Sequence, residues 1–226
     1  MEFPEFFEFI FGPIDAAPTQ IITTMPQRLF SVEGHVPPNF HHVTPSANRE
    51  VKNFTTDKKD VKILKFLDAN PSVVYISQGT HGEYTKKHVL EIARIAEKLP
   101  DYGIILNVGK EQRLQPSIKK LLDQSPNLLY VDWASTNALL RHNSTKIFVS
   151  HGGLNSVFES MLATVPLVVV PKAGDQWHNC KLVHSRHFGV CAETLDGDRI
   201  VNAVRYLDGN ALVKRELQRA RESLML

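Results

Sequence analysis

The sequence predicts an α/β fold, a doubly wound parallel sheet with helices on both faces, from three observations. From residue 61 onward, strand-like and helical runs alternate about every 25 residues. The strand-like runs, such as Val73-Val74-Tyr75-Ile76 and Ile147-Phe148-Val149, are apolar at successive positions, as strands covered on both faces must be. The glycine-rich and polar segments fall just after these strands, at the carboxyl ends where ligands of such sheets bind.

In order, strands are expected over 73–77, 102–108, 127–131, 146–150, 167–170 and, more weakly marked, 189–192. Each is a short apolar run bounded by turn-forming residues. Helices are expected between them, over 84–99, 115–123, 137–142, 154–163, 176–188 and 199–207. The helix over 154–163 is the best marked, with Leu154, Val157, Phe158, Met161 and Leu162 at helical spacing as its buried face. Residues 1 to about 50 differ. They hold Pro4, Pro13, Pro18, Pro26, Pro37, Pro38 and Pro45 and show little periodicity. Gln20-Ile21-Ile22-Thr23-Thr24 is the one strand candidate there, and the rest reads as loop. The mixed-charge run Thr56-Asp57-Lys58-Lys59-Asp60 reads as solvated linker.

Composition bounds the function. The 226 residues are 42% hydrophobic and 22% charged, ordinary for a soluble globular protein, and the formal net charge of +2 gives no electrostatic case for nucleic acid. Cys180 and Cys191 are the two cysteines, too few for a disulfide framework or a spaced metal site, and are expected to be buried free thiols. No apolar run reaches membrane-spanning length, and the acidic start Met1-Glu2-Phe3-Pro4-Glu5 lacks a signal peptide's basic region. A cytoplasmic location is expected.

Four strand-end segments carry the chemistry. Phe148-Val149-Ser150-His151-Gly152-Gly153-Leu154-Asn155-Ser156 runs from a strand through two glycines into a helix, which offers an anion free backbone N–H groups and the positive end of the helix dipole. Glu159, one turn deeper, suits a diol such as ribose, so the segment reads as a nucleotide site. The competing reading is a capping box, Ser156-x-x-Glu159, serving only the helix start. Ser77-Gln78-Gly79-Thr80-His81-Gly82 is either a phosphate-contacting turn or a plain tight turn. It is not G-x-G-x-x-G, which argues against a dinucleotide dehydrogenase. Trp133, in Asp132-Trp133-Ala134-Ser135-Thr136, leaves a strand and could stack on a base or pack in the core. In Pro171-Lys172-Ala173-Gly174-Asp175-Gln176, Asp175 and Gln176 open a helix where they could grip sugar hydroxyls, or Asp175 could be an N-cap.

Taken in order, these segments resemble the C-terminal donor domain of the UDP-glycosyltransferases of GT-B fold. Val73 through Thr80 is similar to the family's strand ending in Gly-Ser, Trp133 to the Trp of its W-x-P-Q segment, and His151 through Ser156 with Glu159 to its signature. Pro171, Gly174, Asp175, Gln176 and Asn179 match the signature's end. The resemblance runs from about residue 35 to 225, with Val36-Pro37-Pro38-Asn39 as the interdomain approach. It implies a Rossmann-like donor domain over 61–226, a linker over 46–60 and a remnant of the N-terminal acceptor domain over 1–45. It implies that Trp133 stacks on uracil and the Ala134 backbone bonds its edge, and that Glu159 accepts from ribose. It assigns the diphosphate to Thr80, His151, Asn155 and Ser156, and the transferred sugar to Asp175 and Gln176.

The implied reaction is inverting transfer of a hexose from UDP-sugar, a substrate rather than a cofactor, to a small-molecule or lipid acceptor, with no metal. Two departures stand out. Thr136 replaces a long amide with a short hydroxyl, and the family's catalytic His and its Asp belong to an acceptor domain that this chain is not expected to contain. No catalytic residue is therefore assigned, and the isolated chain is expected to be inactive. A UDP-sugar-binding subunit with an acceptor domain in trans, and an inactive nucleotide-binding regulator, remain open alternatives.

Overall fold

A computed structural model of the chain describes residues 21–23, 40–42, 53–79, 84–109 and 116–225. In chain order the elements are β1 (Ile21–Thr23), β2 (Phe40–His42), α1 (Lys58–Ala69), β3 (Val73–Ser77), α2 (Lys86–Lys98), β4 (Gly103–Asn107), α3 (Pro116–Asp123) and β5 (Leu128–Val131). They continue with α4 (Thr136–Arg141), β6 (Thr145–Ser150), α5 (Leu154–Ala163), β7 (Leu167–Val169), α6 (Gln176–Ser185), β8 (Gly189–Cys191), α7 (Gly197–Leu207) and α8 (Ala211–Met225). The chain divides into two compact units, Met1–Ala47 with Glu222–Leu226, and Asn48–Arg221. In the first, β1 and β2 form a parallel pair with Ile21 opposite Phe40.

The second unit holds a six-stranded, wholly parallel sheet in the order β5-β4-β3-β6-β7-β8. This is the doubly wound order expected from the alternating pattern. All five residues of β3 and all three of β7 are buried, which is why these strands read as continuous apolar runs. The chain builds outward from β3 through β4 to β5, then returns to β3's other side for β6 and builds outward again. The loops leaving β3 and β6 therefore part in opposite directions and open a crevice at their carboxyl ends. Register places Ser77, the last residue of β3, between Asn107 of β4 and Ser150 of β6.

The observed helices follow the expected ones within a few residues, with additions and corrections. Helix α1 begins at Lys58, inside the charged run read as linker; Ile63 and Leu67 are fully buried, so the charges form the helix's exposed start. Helix α8, not foreseen, buries Val213, Leu217, Ala220 and Leu224, successive residues about one turn apart. Strand β2 likewise lies in a segment expected to be loop. On α5 the buried face is Val157, Phe158, Met161 and Leu162, whereas Leu154 is only half-buried.

The thiol expectation is corrected. Cys180 of α6 and Cys191 of β8 form a disulfide, and no described cysteine is free. The cause is topological. The chain turns back after α6 into β8, β8 pairs with β7, and α6 packs on both strands. That return brings the two Cα atoms to 5.0 Å across a separation of 11 residues.

Candidate functional site

The crevice between β3 and β6 contains a cavity of about 680 Å³. Its walls come from four places in the sequence: Ser77, Gln78 and Gly79 after β3; Thr136 on α4; His151 through Ser156 and Glu159 after β6, Gly152 excepted; and Lys172 and Gln176 after β7. Of the residues expected to bind a donor, His151, Asn155, Ser156, Glu159 and Gln176 line this one space. Trp133, Ala134 and Asp175 are not among its lining residues, although each follows a strand at the same carboxyl end of the sheet. Trp133 is 49% exposed rather than packed in the core, and Ala134 is buried. Thr80, with His81 and Gly82, lies outside the described residues.

His151 owes its position to two glycines. A Cβ on Gly79, whose φ is +78°, would lie 2.7 Å from the imidazole Cε1, and one on Gly153 would lie 2.5 Å from Nε2. The ring thus occupies space that any other residue at either position would fill. Behind it, the Ser150 hydroxyl accepts from the Gly152 N–H at 3.2 Å and lies 3.5 Å from His151 Nδ1. Burial holds the His151 pKa below the usual imidazole range; the nearby Lys172 ammonium adds to this and Asp175 opposes it.

Helix α5 opens onto the cavity with Gly153 in the N-cap position and no side chain capping it. Ser156 is therefore the third helical residue, and Ser156 with Glu159 does not form a capping box, which would need Ser156 in the cap position. Its backbone N–H groups and dipole end face a space lined by Asn155 and Ser156, an arrangement suited to an anion.

The N-cap reading of Asp175 also differs from what is observed. Asp175 precedes α6 without a side-chain cap bond. Its carboxylate instead accepts from Asn179 Nδ2 at 3.0 Å, and that same amide nitrogen donates to the Gly152 carbonyl at 2.9 Å. The chain Asp175–Asn179–Gly152 ties the start of α6 to the turn before α5. Gln176 Oε1 accepts from the backbone N–H groups of Lys172 at 2.8 Å and Ala173 at 3.3 Å. Its oxygen is thereby committed to shaping the loop, and Nε2 is the donor it presents.

Beneath the cavity, the Tyr75 hydroxyl lies 3.3 Å from Thr136 Oγ1 and accepts from Asn107 Nδ2 at 3.2 Å, while its ring stacks on Phe148 at 5.1 Å. Complete burial raises the Tyr75 pKa, and the Glu159 charge raises it further, so this hydroxyl stays neutral. The short Thr136 hydroxyl is thus held by the core beneath it. Three contributors were not singled out from sequence: Gln78, Lys172 and the Tyr75–Asn107 pair. The signal available for Gln78 was an amide ending an otherwise apolar strand. Lys172 and Asn107 left no comparable trace, because what matters about them is proximity across the sheet.

Residues 30–218 match the family described as UDP-glucoronosyl and UDP-glucosyl transferase. A UDP-glucose flavonoid 3-O-glucosyltransferase 7 of Fragaria ananassa is 33% identical over 144 residues, covering 61% of this chain and 29% of that protein. The UDP-glucuronosyltransferase 1A9 of Mus musculus is 29% identical over 150 residues, covering 65% of this chain and 27% of that protein. Among solved structures, the glycotransferase of kitacinnamycin superposes with a TM-score of 0.67 at 23% identity, covering 83% of this chain and 46% of the other. Os79 from O. sativa, in complex with UDP, superposes with a TM-score of 0.59 at 25% identity, covering 70% and 38%. The chain spans under a third of the length of these two curated relatives.

Proposed function

The chain belongs to the UDP-glucoronosyl and UDP-glucosyl transferase family, and from that premise we propose that it binds a UDP-sugar between β3 and β6 as the donor half of a glycosyltransferase. The observation that carries this reading is convergence. Residues from two separate strand-end loops, after β6 and after β7, named from sequence as donor-binding, line one cavity together with the end of β3. The UDP held by a relative of the same fold supports it.

In this reading the α5 start, Asn155, Ser156 and His151 hold the diphosphate, and Glu159 accepts from the ribose hydroxyls. Gln176 donates to the transferred sugar, and Asp175 acts by locking the loop that carries Gln176. When an acceptor oxygen attacks the anomeric carbon, the bond to the diphosphate breaks and negative charge grows on UDP. Fixed N–H donors and the helix dipole meet that charge without reorganising. The reaction is proposed to need no cofactor. The base that takes the acceptor's proton is proposed to lie outside this cavity, in the same polypeptide or a partner chain.

Titration calorimetry tests the reading: the chain is expected to bind UDP, and Glu159→Ala to weaken binding by about 1–3 kcal/mol without loss of folding. Unchanged affinity in a destabilised Glu159→Ala would return Glu159 to a structural role. Among the described residues no helix is long and apolar enough to cross a membrane. The cytoplasmic location expected from sequence is now set against the Cys180–Cys191 disulfide, because the cytosol keeps thiols reduced. An alkylation-resistant pair recovered from cells would move the proposal to an oxidising compartment.

A further inference from the structure

One group in the cavity wall has no part in the proposed donor site. Gln78 follows β3 at the switch point of the sheet, immediately before Gly79, which packs against the His151 ring. It is 4% exposed and lines the cavity, yet among the described residues neither its Oε1 nor its Nε2 has a hydrogen-bond partner. Among the described residues, the amides of Asn179, Gln176 and Asn107 each have at least one atom engaged: Asn179 Nδ2 by Gly152 and Asp175, although its Oδ1 is unpaired, Gln176 Oε1 by its own loop, and Asn107 Nδ2 by Tyr75. Gln78 alone among these has both atoms unpaired. Buried polar groups are nearly always paired, since a lost partner forfeits the hydration given up on burial. An apolar side chain would cap this strand at no such cost, and the preceding residues of β3 are mostly apolar. An unpaired amide at the wall of a ligand cavity is therefore best accounted for by a ligand that completes it.

Resting on the UDP-sugar reading, we propose that Gln78 is a specificity-determining residue whose amide pairs with a hydroxyl-bearing part of the bound ligand. The chemistry selects that part. A carboxamide offers one acceptor atom and one double donor side by side. Diphosphate oxygens only accept, so they would leave Oε1 unpaired and facing negative charge. A hydroxyl, or two adjacent hydroxyls, both donates and accepts and satisfies both amide atoms at once. Ribose and the transferred sugar each present such groups, and binding measurements tell them apart.

The test compares wild-type chain with Gln78→Met, which keeps volume and removes both polar atoms, by calorimetry with UDP and with UDP-glucose. Gln78→Leu serves as a second apolar variant. We expect both variants to melt at a higher temperature than wild type in the absence of ligand, because an unsatisfied buried amide is gone. We expect UDP-glucose affinity to fall by about tenfold, the loss typical of one to two hydrogen bonds. If UDP affinity holds while UDP-glucose affinity falls, the partner is the transferred sugar; if both fall equally, it is ribose. Unchanged affinity for both ligands would overturn the assignment, as would variants that lose stability along with binding. Wild-type protein that is folded but binds neither ligand would instead sink the UDP-sugar reading itself, and this assignment with it.

Discussion

Helices α5 and α7 both start at the carboxyl end of the sheet, yet their first turns are finished in opposite ways. At α7 the protein supplies its own anions. Asp196 caps the helix by accepting from the Arg199 N–H at 2.9 Å, and Glu91 of α2 accepts from the Gly197 N–H at 2.7 Å. Asp198, in the first turn, is paired with Arg94 and Lys98 of α2, and these cations hold its carboxyl below the usual range. At α5 the cap position is Gly153, no side chain caps it, and the turn opens on the cavity. The two starts present the same electrostatics to their surroundings. One is closed by carboxylates that fasten α7 to α2; the other carries no side-chain cap and is the start proposed to meet a ligand's charge.

The sharpest way to break this contrast is to block the open start. Gly153→Ala places a Cβ 2.5 Å from His151 Nε2 and 3.2 Å from its Cε1, so either the ring or the turn must move. UDP affinity is expected to fall by about 2–3 kcal/mol, up to two orders of magnitude, by calorimetry. Affinity within a factor of two of wild type would mean that the turn and His151 take no part in binding.

The closed start should respond in the other currency. Asp196→Ala is expected to lower stability by about 1 kcal/mol in urea titration, as loss of an N-cap does, and to leave UDP affinity unaltered. Weakened UDP binding in that variant would erase the distinction between the two helices.

The smallest expected effect is a pH dependence. Burial and Lys172 keep the His151 pKa below its ordinary value, so the ring is neutral near pH 7. A diphosphate beside it favours the imidazolium, so binding takes up a proton. Affinity for UDP-glucose, whose diphosphate does not titrate in this range, is expected to rise as pH falls from 7.5 through about 6, by less than about tenfold. His151→Gln should flatten the profile. The same shift has the opposite sign for folding. A lowered folded-state pKa means the unfolded chain binds the proton more readily, so stability is present above the unfolded value and is lost as pH falls toward the folded one.

Much of the sheet was legible because burial on both faces forces strands into apolar runs; β3, β6 and β7 are unmistakable for that reason. Helices α1 and α8 escaped notice although Ile63 with Leu67, and Val213 with Leu217, Ala220 and Leu224, keep helical spacing. Their many lysines, arginines and glutamates dilute the apolar signal over the window in which it is sought. The capping-box reading of Ser156 and Glu159 failed for a different reason. A three-residue spacing is compatible with several helix registers, and only the observed start at Leu154 chooses among them. The thiol reading of Cys180 and Cys191 failed because pairing depends on how α6 turns back into β8, not on count or spacing.

By itself the sequence determined the layer architecture, the alternation of strand and helix, and the strand ends at which the candidate site lies. Those follow from periodicity and from the backbone freedom of glycine, which are local properties of the chain. The tertiary structure alone decided which polar groups are spent and which are left over. Asp175 goes to Asn179, the Gln176 oxygen to its own loop and the Thr136 hydroxyl to Tyr75, while among the described residues the Gln78 amide has no partner and the first turn of α5 has no side-chain cap. The physical reason is that hydrogen bonds form between groups brought within about 3 Å, and here the fold sets those distances across segments far apart in the chain.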